Sequence, residues 1–163
     1  MSGAWLKRES TLILLALPAM PNPSLAPEEQ AVIRYKDSAA YKNSRLQRQI
    51  ARELDASVFG RNPDHLVLTH SFNAFEIIIN SRYPDRFVNT TDRDFKAILE
   101  DPFAHEVSHI LVPPPGGLSD INAVFARYPG FYEERYEWTE LERTLDDGWK
   151  LFRVIGPSAD ESQ

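Results

Sequence analysis

His105-Glu106-Val107-Ser108-His109 spells HExxH. On a helix, two histidines so spaced share one face and can hold zinc together, while the glutamate between them acts as a base. Glu133 and Glu134 stand at a separation that suits a third ligand. The alternative reading is therefore a hydrolase, either zinc-dependent through this string or a carbohydrate or phosphate hydrolase using Asp92, Asp94 and Asp120. The flanks oppose the helix that this chemistry needs. Pro102 lies just before the string and Pro113 just after it, and Val107-Ser-His-Ile-Leu-Val112 has the β-branched, apolar character of a buried strand. In a strand His105 and His109 would stand about 13 Å apart, too far to share an ion with ~2 Å bonds. The string is therefore expected to mark a strand, with His109 in it and His105 on the surface. No catalytic residue, metal or cofactor is assigned.

A second set of polar residues depends on topology. In an open α/β sheet the crevice beyond the carboxyl ends of the strands is the usual ligand site, because helix N-termini present free N–H groups there. That edge is expected to gather His70, Ser71 and Asn73 after the first strand. Thr90, Asp92, Arg93 and Asp94 follow the second, and Pro113–Gly117 with Ser119 and Asp120 follow the third. Such donors and carboxylates suit a sugar or a phosphate. A plainer account is preferred: Ser71, Thr91 and Ser119 cap helices, while Asp92 and Asp94 favour the positive helix end.

Other chemistries find little support. Ser71 beside His70 lacks the glycine-flanked elbow of α/β hydrolases. Pro113-Pro-Pro-Gly-Gly117 lacks the lysine of a phosphate loop, and no GxGxxG follows a strand. The chain has no cysteine, which excludes thiolate catalysis, Cys-ligated metals and disulfides. Asn89-Thr-Thr91 is formally a glycosylation acceptor.

The elements that must position these residues follow from pattern. Pro27-Glu-Glu-Gln30 suits a first helical turn, in a helix running to about Ala40. Asn43 is expected to cap a second helix with Leu46, Ile50 and Leu54 on its apolar stripe. Strands are expected at His65–Thr69, Arg86–Val88, Val107–Val112 and Trp149–Ile155, with an edge strand opening near Trp138. Helices fall between them. One starts at Ser71 with Phe72, Phe75, Glu76 and Ile79, although the β-branched Ile77-Ile78-Ile79 competes for extended structure. Another follows a Thr91–Asp94 capping box, with Phe95, Ile98 and Leu99 buried. A third follows Ser119, with Ile121, Val124 and Phe125 inward. Asp146-Asp147-Gly148 is expected to be a turn. The alternation, ending in a closing strand or a hairpin, predicts an α/β fold: a small, mostly parallel sheet with helices on its faces, a Rossmann-like three-layer arrangement preceded by N-terminal helices.

At 163 residues the chain has room for one domain with a real core. Residues 1–26 read as a hydrophobic remnant and proline-rich linker, 27–156 as the single α/β domain, and 157–163 as a frayed tail. The formal charge of −6 argues against nucleic acid, whose phosphates need a positive surface. Charge is uneven: residues 34–55 hold six basic and three acidic side chains, and 133–147 hold seven acidic and two basic. Thr11–Met20 is an apolar run of ten, half of what a bilayer span needs. It is read either as the end of a longer hydrophobic segment, as a poor secretory h-region, or as a strand or arm packed on the domain.

Several spaced words carry a resemblance. They are Asn22-Pro-Ser-Leu-Ala-Pro-Glu-Glu-Gln30, Arg52-Glu-Leu54 before Leu66-Val-Leu68, and Pro84-Asp-Arg-Phe-Val88. Asp92-Arg-Asp-Phe95, Leu99-Glu-Asp-Pro102 and Val107-Ser-His-Ile-Leu-Val-Pro113 complete them. Together they resemble the soluble C-terminal region after the last membrane span of some actinobacterial multi-spanning proteins of the lipid-linked-sugar glycosyltransferase type. The resemblance implies a non-catalytic accessory or binding domain on the extracytoplasmic face of the membrane, a cytoplasmic setting being the alternative. Its implied partners are the membrane-embedded portion of the same or a neighbouring protein and a carbohydrate. It also implies that Thr11–Met20 ends a last transmembrane helix, and that the catalytic acids lie outside this chain.

Overall fold

The computed structural model describes residues 39–133 and 136–156. The apolar run at 11–20, the proline-rich linker, the helix expected from Pro27, Glu134 and the tail lie outside the described residues.

Helix α1 spans Ala39–Leu54 and continues into a π-helical turn, Asp55–Phe59. Because α1 runs unbroken through Asn43, that residue is an exposed interior position and not the expected cap. Ile50, Ala51, Leu54, Val58 and Phe59 form its buried stripe. The wide turn ends at Gly60, where a Cβ would come within 2.5 Å of the Ala56 carbonyl oxygen.

Five strands follow: β1 Leu66–Leu68, β2 Phe87–Val88, β3 Val107–Val112, β4 Thr139–Thr144 and β5 Lys150–Val154. Their spatial order is β2-β1-β3-β5-β4. β1 pairs in parallel with β2 and with β3, whereas β5 is antiparallel to both β3 and β4. The sheet is therefore mixed and not mostly parallel. The difference arises at Asp146–Gly148, where a short turn with Asp147 at φ 56 returns the chain directly. Antiparallel neighbours need only such a turn, whereas a parallel pair needs a long crossover. With only one half of the sheet parallel, the Rossmann-like description does not hold.

Helices α2 (Ser71–Asn80), α3 (Phe95–Glu100) and α4 (Ala123–Arg127) complete the domain. Consecutive strand residues feed opposite faces, as the two-residue period of a strand requires. Val67, Phe87, Leu111 and Leu151 pack with α1 and α2, while Leu68, Val88, Ile110 and Phe152 pack with α3 and α4. The second core is extended by Phe131, fully buried with its ring centroid 4.8 Å from that of Phe152.

Local details depart from the pattern. Ile77-Ile78-Ile79 is helical, because Ala74 and Ile77 bury against α1 and tertiary packing outweighs β-branching. Phe72, Phe75 and Ile79 consequently face out, each more than half exposed. α4 is capped by Asn122, whose side chain accepts the Val124 N–H, and not by Ser119, which lies in a preceding 3₁₀ segment with Ile121 exposed. The Thr91–Asp94 capping box does not form. Asp92 accepts the Asn89 N–H at 2.7 Å, and Thr91 bonds the Asn89 side chain.

Candidate functional site

The central strand β3 carries a polar pair, Ser108-His109, inside an otherwise apolar run. Its register with β1 slips there: Leu66 pairs with Val107, but Val67 pairs with His109. Ser108 is thus the extra residue of a β-bulge, which re-aims side chains next to it. Its hydroxyl reaches the Leu66 carbonyl at 2.8 Å and lies 2.9 Å from Nδ1 of His109. A second slip occurs in β4, where Leu141 pairs with Phe152 and Arg143 with Leu151, leaving Glu142 as the extra residue. Its carboxylate Oε2 lies 3.0 Å from Nε2 of His109, and Oε1 accepts from Arg61 at 3.2 Å. Two bulges on different strands therefore place a hydroxyl and a carboxylate on the two nitrogens of one imidazole.

This chain forms one wall of a cleft of about 620 Å³. Arg61, His65, Arg143 and Arg153 line the rest, with Glu140 bonded to Arg153 at 2.5 Å. α1 and α2 cover the sheet over Val67, Leu111 and Leu151, and the polar stretch formed by His109 and Arg153 lies beyond that cover. The π-helical turn contributes Ser57 to the rim, its hydroxyl bonded to the Glu53 carbonyl. The His65 ring meets that of His109 edge to face at 5.4 Å, and its Nδ1 is buried without a partner.

Burial lowers the pKa of His109 below the ordinary imidazole value, outweighing the hydrogen bond and charge of Glu142, which raise it. A neutral imidazole in this position donates from Nε2 to Glu142, because a carboxylate can only accept. Burial also lowers the pKa of His70.

The zinc string is not helical. Residues 101–106 are turn and coil, with His105 exposed and Glu106 at φ 58, and the strand starts at Val107. Glu133 is an exposed turn residue. Among the described residues no group of three or more His, Cys, Asp or Glu is placed to hold a metal ion.

The residues expected at the carboxyl edge are only partly drawn together. The hydroxyls of Ser71 and Thr90 hydrogen-bond, and Asn73 bonds the Leu118 carbonyl and accepts from Asn122. His70, half-buried, precedes α2 with its Nδ1 buried and unpartnered. Asp92, Arg93 and Asp94 are exposed, and Asp92 serves its own turn. Ser119 is half-buried, while Asp120 borders a separate hollow of about 250 Å³ beside Phe125 and Tyr132.

The cleft at the opposite strand ends was not among the expected sites. The signal for it was the polar pair inside an apolar strand; the bulges that use the pair arise from strand pairing. The chain matches no protein-family model, no curated protein and no solved structure.

Proposed function

We propose that this chain is a binding domain and that its ligand presents an anionic group to the cleft around His109. The observation that supports this reading is local charge. In a chain of formal charge −6, the cleft wall carries three arginines against two glutamates, one net positive charge with the histidines neutral. Arg61 and Arg153 are paired with Glu142 and Glu140, so the net charge rests on Arg143, and a concave wall with a net positive charge draws an anion. Arg143, on the exposed rim, has no ion-pair partner among the described residues and is free to meet a phosphate or carboxylate. The accessory role beside a membrane glycosyltransferase-like protein rests on the spaced words of the sequence, and a carbohydrate carrying such a group joins the two readings.

A hydrolytic reading draws on the series Ser108, His109, Glu142, which resembles a nucleophile, base and orienting acid. The Ser108 hydroxyl is the weak point, because it is also engaged by the Leu66 carbonyl that the bulge frees. Binding is therefore preferred.

The test is an NMR titration of backbone amides with glucose 1-phosphate and with glucose. Binding predicts shifts at His65, His109 and Arg143 with the phosphate and none with the neutral sugar. Shifts confined to His70, Ser71 and Asn73, or equal responses to both sugars, would overturn the reading.

A further inference from the structure

We infer that an anion entering the cleft is bound together with one proton, taken up by His109. The inference rests on the anion-binding reading and adds its regulation by pH.

Ser108, His109 and Glu142 form one hydrogen-bonded chain whose protons can be counted. Glu142 as a carboxylate only accepts, so Nε2 of His109 must donate to it. On the other side stand two acceptors, Nδ1 of a neutral imidazole and the Leu66 carbonyl, both within reach of the single Ser108 hydroxyl proton. With His109 neutral, the hydroxyl can donate to only one of the two. With His109 protonated, Nδ1 donates to the Ser108 oxygen and the hydroxyl donates to Leu66, so every member is satisfied. An incompletely satisfied buried network is costly, which biases this one toward the imidazolium.

What opposes the proton is the setting. The His109 side chain is only 5% exposed. From the loop before β1 the His65 ring faces it, from β5 its register partner Arg153, and Arg61 lies on the far side of Glu142. On β4, Glu140 is occupied by Arg153 and Arg143 stands on the rim, so Glu142 is the one carboxylate in direct contact. Burial first, and then the charges of His65 and Arg153, hold the imidazole below its ordinary pKa. An anion seated in the cleft beside His109 offsets the charges of His65 and Arg153 that repel the proton, and the chain then closes. By linkage, uptake of one proton makes affinity rise as pH falls, by up to about tenfold per pH unit within the window between the free and the bound titration points.

Sulfate is the probe, because it does not titrate near neutral pH. Calorimetric binding near pH ~6.5, in two buffers of different ionisation enthalpy, counts the protons taken up. NMR titration of the imidazoles with and without saturating sulfate shows where they go. The expected result is uptake approaching one proton, an upward shift in the His109 titration and little shift in His65. His109→Gln should lose the uptake and the pH dependence together. Sulfate binding without proton uptake, or uptake assigned to His65, overturns the coupling while leaving the anion reading intact. Absence of sulfate binding in the cleft overturns both. The titration follows His109 in the unaltered protein, so the result stands even where His109→Gln fails to fold.

Discussion

Glu142 reaches His109 across an intervening strand: its carboxylate lies 3.0 Å from Nε2, although β5 separates β4 from β3. The bulge at Glu142 makes this reach possible, and the bond fixes the tautomer of the buried ring. Glu142→Ala should leave Nε2 without its acceptor and release Arg61, costing about 1–3 kcal/mol in urea unfolding. Because Glu142 is what raises the His109 titration, its loss should also move that titration further down. Glu142→Gln keeps an acceptor and loses the charge, so it should cost less and shift the ring in the same direction. An unchanged His109 titration in both variants would show that the contact does not exist in solution.

Stability should fall as the solution is acidified through the imidazole range. For both His70 and His109 burial lowers the folded titration below the ordinary imidazole value of 6.5, so between the two values the unfolded chain binds more protons. The sign follows: the contribution is complete above pH 6.5 and is lost as pH falls through the lower folded values. Urea midpoints measured from mildly alkaline pH down to just above the carboxylate range should therefore decrease. A midpoint that rises over that interval would mean that Glu142 outweighs burial at His109.

Asn122 and Ser119 separate a real cap from an expected one. Asn122 is fully buried, accepts the Val124 N–H at 2.9 Å and donates to Asn73 at 3.0 Å. Asn122→Ala removes the cap and orphans the buried Val124 N–H and the oxygen of half-buried Asn73, so a loss of about 1–3 kcal/mol is expected. Ser119→Ala touches neither bond and should stay within about 0.5 kcal/mol of the parent. Equal losses in chemical denaturation would refute the assignment.

The same pair shows what was legible in the sequence. Position and type of the strands at Leu66, Phe87, Val107 and Lys150 followed from apolar runs bounded by prolines and turns, because burial on both faces writes itself into composition. The caps were harder, since Ser119, Asn122, Thr91 and Asp94 are all good capping types and only the local path of the chain selects among them. The Asp146–Gly148 turn was legible, but the direction of β5 against β3 was left open between a closing strand and a hairpin, because both can follow similar apolar runs. The cleft was the least visible part. Ser108 and Glu142 lie 34 positions apart (142 − 108), and they meet His109 only through register slips that depend on which strands pair.

Glu106 offers the sharpest test of what the HExxH string is. Its backbone sits at φ 58, a left-handed conformation that costs a residue with a Cβ roughly 1–2 kcal/mol and costs glycine almost nothing. Glycine in turn raises the entropy of the unfolded chain, which offsets about 0.4–1 kcal/mol of that gain. Glu106→Gly should therefore leave stability unchanged or raise it by up to about 1 kcal/mol. The neighbouring His105 is exposed, so His105→Ala should be neutral within about 0.5 kcal/mol. A zinc hydrolase makes the opposite demands, because there Glu106 is the base and His105 a ligand, and glycine would break the helix that joins them. Urea unfolding of both variants, with zinc stoichiometry measured on the purified parent, decides between them. Retained stability with no bound zinc fits a tight turn leading into β3, whereas one zinc per chain lost on changing His105 would restore the metal site.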